Sequence, residues 1–156
     1  LTSNLGARFL AGQSAPLGFA AGADAVFEKQ AAQAVEEAKK WFRPELVGRL
    51  DELIVFRPLS QESLCSIAEK MLCGLEDRAA RGGYRLRHTP RVGAVLAAKA
   101  RSAYGARELR RAVDRAVEQA LADQIAAGTA CAGQSWTADC TAEGRVVLRQ
   151  DETATL

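Results

Sequence analysis

Apolar residues in this chain recur at spacings of three and four in four separate stretches, a pattern that suits helices burying one face. The first comprises Phe27, Ala31, Ala34, Val35, Ala38 and Phe42. Asp24 is the expected N-cap and Pro44 excludes helical geometry at Arg43, which predicts a helix over 25–42. Ser60 caps the second stripe, Leu64, Ile67, Ala68, Met71, Leu72 and Leu75, and Gly82-Gly83 ends that segment. Thr89-Pro90 opens a third with Val92, Val95 and Leu96. After a break at Tyr104-Gly105, Leu109, Ala112, Val113, Val117, Ala120, Leu121 and Ile125 form the fourth, closed by Gly128.

Strand signals fall between the helices. Leu53-Ile54-Val55-Phe56 is a short apolar run expected as a strand buried on both faces. Tyr84 and Leu86 alternate with Arg85 and Arg87, as in a strand with one wet face. Ser135–Asp139 and Arg145–Arg149 read as a hairpin turning at Glu143-Gly144. The stretch between Gly6 and Gly22, rich in Gly, Ala, Ser and Pro, is expected to be a mobile loop, and residues 150–156 a polar tail. The division between two parts falls near Arg57-Pro58.

Composition removes several function classes. Lys+Arg 21 against Asp+Glu 19 leaves a net charge of +2, so charge offers no case for nucleic acid or an anionic membrane. No apolar run approaches the roughly 18 residues that a bilayer span needs. No charged leader precedes an apolar core, and the only methionine is Met71, so the sequence is expected to be part of a longer protein. Cysteines at 65, 73, 131 and 140 form no C-x-x-C pair, and with His88 the sole histidine no zinc spacing exists. Cys65 and Cys73 are expected as buried free thiols, and the cytoplasm as the compartment.

Three short segments carry a resemblance. They are Leu1-Thr2-Ser3-Asn4; Phe42-Arg43-Pro44-Glu45-Leu46 through Arg49-Leu50-Asp51-Glu52; and Tyr104-Gly105-Ala106-Arg107-Glu108-Leu109-Arg110-Arg111. In this order and spacing they resemble the sensor-1 strand, arginine-finger segment and sensor-2 helix of the Clp-type AAA+ family, hexameric ATP-driven protein unfoldases. The resemblance covers residues 1–149 and is nearest to the end of the last AAA+ module of the ClpC or ClpA type. It implies an α/β remnant of an AAA+ large subdomain over 1–57, then an α+β small (C-terminal lid) subdomain over 58–149.

It also implies roles for particular residues. Asn4 resembles sensor 1, where an amide offers a donor and an acceptor without a titrating charge. Arg49 resembles the arginine finger that reaches ATP held by a neighbouring subunit; a planar, permanently charged guanidinium suits charge developing on transferring oxygens. Arg107 resembles sensor 2, which contacts the phosphates from within the same subunit, while Ala106 and Ile67 are implied in the adenine pocket. As apolar residues on core stripes, those two are more simply explained by packing. Gly48 and Glu108 stand where many relatives carry asparagine and proline. Leu17-Gly18-Phe19 resembles the tripeptide by which protease-coupled Clp unfoldases dock on the ClpP peptidase, two apolar anchors repeated around a ring.

Other parts of an ATPase site are missing. A P-loop needs G-x-x-x-x-G-K-[ST], and none of the 13 glycines here is followed by lysine. No apolar run ends in Asp-Glu as a Mg²⁺-organising strand would; Asp51-Glu52 precede theirs. The resemblance thus implies half of a site, inactive alone, in a parent that uses ATP and Mg²⁺. The implied partners are neighbouring subunits of a homohexamer, ClpP and unfolded protein substrates. Two other readings stand beside it: part of a ClpB-type disaggregase, and a non-catalytic interaction module.

Overall fold

The first apolar stripe winds into α1, Ala21–Trp41, which begins earlier than its spacing predicts. Asp24 is therefore not the N-cap. It lies in the first turn, where a carboxylate is favoured by the unpaired amides of a helix start. There it accepts a hydrogen bond from the Arg57 guanidinium, which also sits 4.3 Å from the centre of the Phe27 ring. Arg43 is extended (φ −62°, ψ 141°), as a residue before proline must be, and Pro44 starts the one-turn α2, Pro44–Val47.

In this computed structural model, which describes residues 2–5, 21–100 and 105–151, the chain divides into two compact units, Leu1–Pro58 and Leu59–Leu156. The expected strand at Leu53–Phe56 does not form. Ile54 is 66% exposed and Phe56 79% exposed. A strand buried on both faces needs neighbours to pair its backbone, and the described residues of the first unit hold no other strand.

The second unit is built on α3, Gln61–Arg81. Ser60 is extended, and its Oγ accepts from the Ser63 N–H at 3.1 Å, satisfying one of the amides a helix start leaves open. Leu64, Ala68, Leu72, Leu75 and Ala79 form the buried stripe, with Ile67 and Met71 half-buried at its margin. Cys73, expected inside, is exposed, because it lies about 100° around the helix from Leu72. Cys65 is half-buried, Cys140 buried and Cys131 exposed, and all four thiols are free.

Next come β1 (Arg85–His88) and α4 (Pro90–Lys99), then α5 (Gly105–Val113), a π-helical turn (Asp114–Glu118) and α6 (Gln119–Ala126). Gly105, which opens α5, has φ +54°, a left-handed geometry that glycine adopts without strain. The π turn has a cause in the sequence. Leu109, Val113, Val117 and Leu121 are all buried and spaced by four. At about 3.6 residues per turn such a row drifts off the core, and one wider turn brings it back.

The sheet closes the unit. Strand β2 (Ser135–Cys140) lies between β1 and β3 (Val146–Gln150), parallel to β1 and antiparallel to β3. Leu86 stands opposite Trp136, and Ala138 opposite both His88 and Leu148. Strand β2 alternates strictly: Trp136, Ala138 and Cys140 face the helices, while Ser135, Thr137 and Asp139 are half-exposed. The second unit is thus an α+β fold with helices against a small mixed sheet.

Candidate functional site

Asn4 is exposed, in the irregular stretch 2–5. With Thr2, Ser3 and Leu5 it lines a cleft of about 490 Å³ in the first unit, walled by one side of α1 (Ala34, Val35, Ala38) and by 52–56. Ser3 Oγ accepts from the Leu5 amide at 3.1 Å, which holds the backbone beside Asn4 in a turn. Leu50 and Glu52 belong to the same cleft.

Arg49 follows α2. Its amide donates to the Leu46 carbonyl at 3.1 Å, and that of Gly48 to Pro44 at 2.9 Å, so the backbone ahead of the guanidinium is anchored in a helical turn. Gly48 itself is right-handed (φ −68°, ψ −11°), a conformation open to any residue. The Arg49 side chain is exposed. Among the described residues it makes no ion pair, either with Asp51 or Glu52 or with any other carboxylate.

In the second unit, Arg107 lies in the first turn of α5 and is exposed, again with no ion pair among the described residues. Leu109 and Val113 anchor the opposite face of that helix in the core. Ala106 is half-buried. Ile67 opens onto a groove of about 350 Å³ between α3 and the α5–π segment, shared with Lys70, Met71, Arg78, Arg110 and Asp114. Arg78 is held along one end of the groove by Glu118 at 3.3 Å. The groove therefore joins an apolar floor to two further cations. Neither Arg107 nor Ala106 lines it. Leu17, Gly18 and Phe19 lie outside the described residues.

Two half-units of cationic chemistry result, one around Arg49 and one around Arg107. Each presents an exposed guanidinium with no ion pair among the described residues, and a guanidinium's fork of donors suits an external anion such as phosphate. Lys70 and Arg110 lie outside the expected site residues: Lys70 stands one turn after Ile67 on α3, as helical period alone places it, while Arg110 comes beside them only because α5 packs on α3.

Residues 59–138, just over half of the chain, match the family model described as the C-terminal, D2-small domain of ClpB protein. The chain belongs to the Clp family. It is 37% identical over 152 residues to an ATP-dependent Clp protease ATP-binding subunit ClpA homolog of Pyropia yezoensis, covering 95% of this chain and 18% of that protein. It is likewise 37% identical over 151 residues to Chaperone protein ClpC3, chloroplastic, of Oryza sativa subsp. japonica (95% and 16%). Against Chaperone protein ClpB of Streptomyces albus G the identity is 36% over 152 residues (97% and 16%). The chain thus spans about a sixth of the length of these Clp relatives. These matches cover 95–97% of the chain and so extend well beyond the D2-small domain, into the residues that precede it. No helix among the described residues is long and apolar enough to cross a membrane.

Proposed function

We propose that this chain supplies half of the second ATP site of a Clp unfoldase. Residues 1–57 are the end of an AAA+ large subdomain, 58–149 the small subdomain, and 150–156 a tail whose first residue, Gln150, completes β3. The observation that carries the reading is that Arg49 and Arg107, the two arginines in the finger and sensor-2 positions, are both exposed and free of ion pairs among the described residues. An arginine without a carboxylate partner is free to meet phosphate oxygens; most described arginines of this chain share that freedom, and it is the motif positions that single out these two.

The residues fit ATP in part. Cations and an apolar wall at Ile67 are present, while the glycine-rich cradle and the Mg²⁺ carboxylates belong to segments this sequence does not contain. ATP with its Mg²⁺, when bound, supplies the phosphoryl-transfer energy. Asn4 would orient the attacking water through its amide, and Arg49 would neutralise charge on the transferring group held by the neighbouring subunit. Arg107 would report the phosphates to the small subdomain, with Ala106 and Ile67 against the base. The small subdomain would then turn as a rigid lever between subunits of a homohexamer and pull an unfolded chain through the ring. Leu17, Gly18 and Phe19 would dock the ring on ClpP, and four free thiols fit a cytoplasmic setting.

A second reading has its own support: the matching family model is that of ClpB, and a ClpB is among the relatives. In that case the parent is a disaggregase that releases its substrates intact. In either case the 156-residue chain alone is expected to show no ATP turnover above background in a phosphate-release assay. Steady turnover by the purified chain would contradict the half-site.

A further inference from the structure

His88 is the only histidine of the chain, and β1 turns it inward. Leu86 and His88, two residues apart, share one face of the strand. Leu86 is buried, and the His88 side chain is only 11% exposed. Facing it on α3 are Glu69 and Glu76, seven residues apart and so on one side of the helix. Nδ1 of His88 lies 2.6 Å from Oε1 of Glu76, and Nε2 lies 2.9 Å from Oε2 of Glu69.

Each ring nitrogen therefore faces a carboxylate oxygen. A neutral imidazole has one N–H and one lone pair, so it can donate to one glutamate but sets its lone pair against the other. Only the imidazolium donates to both. The glutamates keep part of their hydration, their side chains being 44% (Glu69) and 29% (Glu76) exposed.

Helix α4 is shaped around the same group. Gly93 is buried, and a Cβ there would overlap Oε1 of Glu69 and lie 3.0 Å from its Cδ. The remaining charges nearby are turned away or engaged. Arg85 and Arg87 on β1 are exposed, as are Lys70 and Asp77 on α3 and Arg91 on α4. Asp139 on β2 accepts from Thr89 Oγ1 at 3.0 Å and from the Cys140 amide at 2.8 Å. Lys99, at the end of α4, donates to the Gly144 carbonyl at 2.7 Å. Cys65 and Cys73, one turn before the two glutamates, are free thiols.

We propose that His88 is a proton-operated clasp: its imidazolium fastens β1 to α3 through Glu69 and Glu76, and loss of the proton releases one of the two. Burial alone opposes the charged ring, but the hydrogen bonds and charge of Glu69 and Glu76 outweigh it and raise the His88 pKa above its ordinary 6.5. A raised folded-state pKa contributes stability that is complete below 6.5 and disappears as pH rises through the folded value.

The test combines urea unfolding of the 156-residue chain with an NMR titration of the His88 Cε1–H resonance, from about pH 5.5 to about pH 9.5. The wild-type midpoint is expected to fall across this range more than that of His88→Gln, which cannot take up the second proton. The resonance is expected to titrate above 6.5 in wild type, and to move down towards 6.5 in Glu69→Gln and in Gly93→Ala, which displaces the Glu69 carboxylate. If His88→Gln does not fold, the wild-type and Gly93→Ala titrations decide the matter alone. A wild-type ring titrating at or below 6.5, or midpoints that fall in parallel with and without His88, overturns the clasp.

Discussion

Arg49→Ala in the full-length protein is expected to lower ATP hydrolysis by roughly 10³–10⁵-fold, the range over which arginine fingers act, while leaving nucleotide binding nearly intact. Phosphoryl transfer spreads negative charge over the transferring oxygens, and a guanidinium in trans stabilises that state more than the bound ground state. Arg49 is suited to this because its backbone is pinned by the Leu46 carbonyl and its side chain is uncommitted among the described residues. Steady-state turnover alongside binding of a fluorescent nucleotide separates the two effects. Turnover within a few-fold of wild type removes Arg49 from the finger position. Lost binding instead assigns it a role in holding nucleotide within its own subunit.

The second large effect concerns stability. Leu109 is fully buried, and it anchors α5 between two exposed arginines, Arg107 and Arg110. Leu109→Ala removes three heavy atoms from a packed core and is expected to cost about 2–5 kcal/mol. Against a typical total of about 5–15 kcal/mol, that leaves the second unit close to unfolding. Arg107→Ala, on the opposite face of the same helix, is expected to change stability by no more than about 0.5 kcal/mol. Urea titrations of the chain followed by circular dichroism measure both. A small loss at Leu109, or a large one at Arg107, would mean that α5 is not held as described.

Much of the second unit can be read from local pattern. The stripe Leu64-Ala68-Leu72-Leu75 and its Ser60 cap are short-range features, and they mark α3 from neighbours no more than four residues away. Thr89-Pro90 and Gly144 do the same for α4 and the hairpin. The π turn left a readable trace in the unbroken four-residue spacing of Leu109, Val113, Val117 and Leu121, which an ordinary helix period blurs. The parallel pairing of β1 with β2 leaves none, because it joins residues about fifty positions apart and neither strand's alternation names its partner.

Where local reasoning fails, a long-range partner is the reason. Leu53–Phe56 has the composition of a buried strand, but burial needs paired edges that the described residues do not supply. The His88 clasp was half legible. Leu86 and His88 share a face by strand alternation, and Glu69 and Glu76 share one by helical period, yet nothing in the sequence shows that these faces meet. The roles of Asn4, Arg49 and Arg107 come from motif resemblance; the fold adds only that the two arginines are exposed and make no ion pair among the described residues.

Membership of a protease-coupled unfoldase is tested most directly by degradation. The full-length protein, its ClpP partner and a stably folded substrate are combined with ATP, and wild type is compared with Leu17→Ala/Phe19→Ala while ATP hydrolysis is recorded in the same samples. The account predicts that degradation collapses in the double variant and hydrolysis persists, since losing two apolar anchors repeated around a ring abolishes multivalent docking without touching the nucleotide. Degradation that survives the double substitution, or a wild type that hydrolyses ATP yet never feeds ClpP, would contradict it and leave the disaggregase in its place.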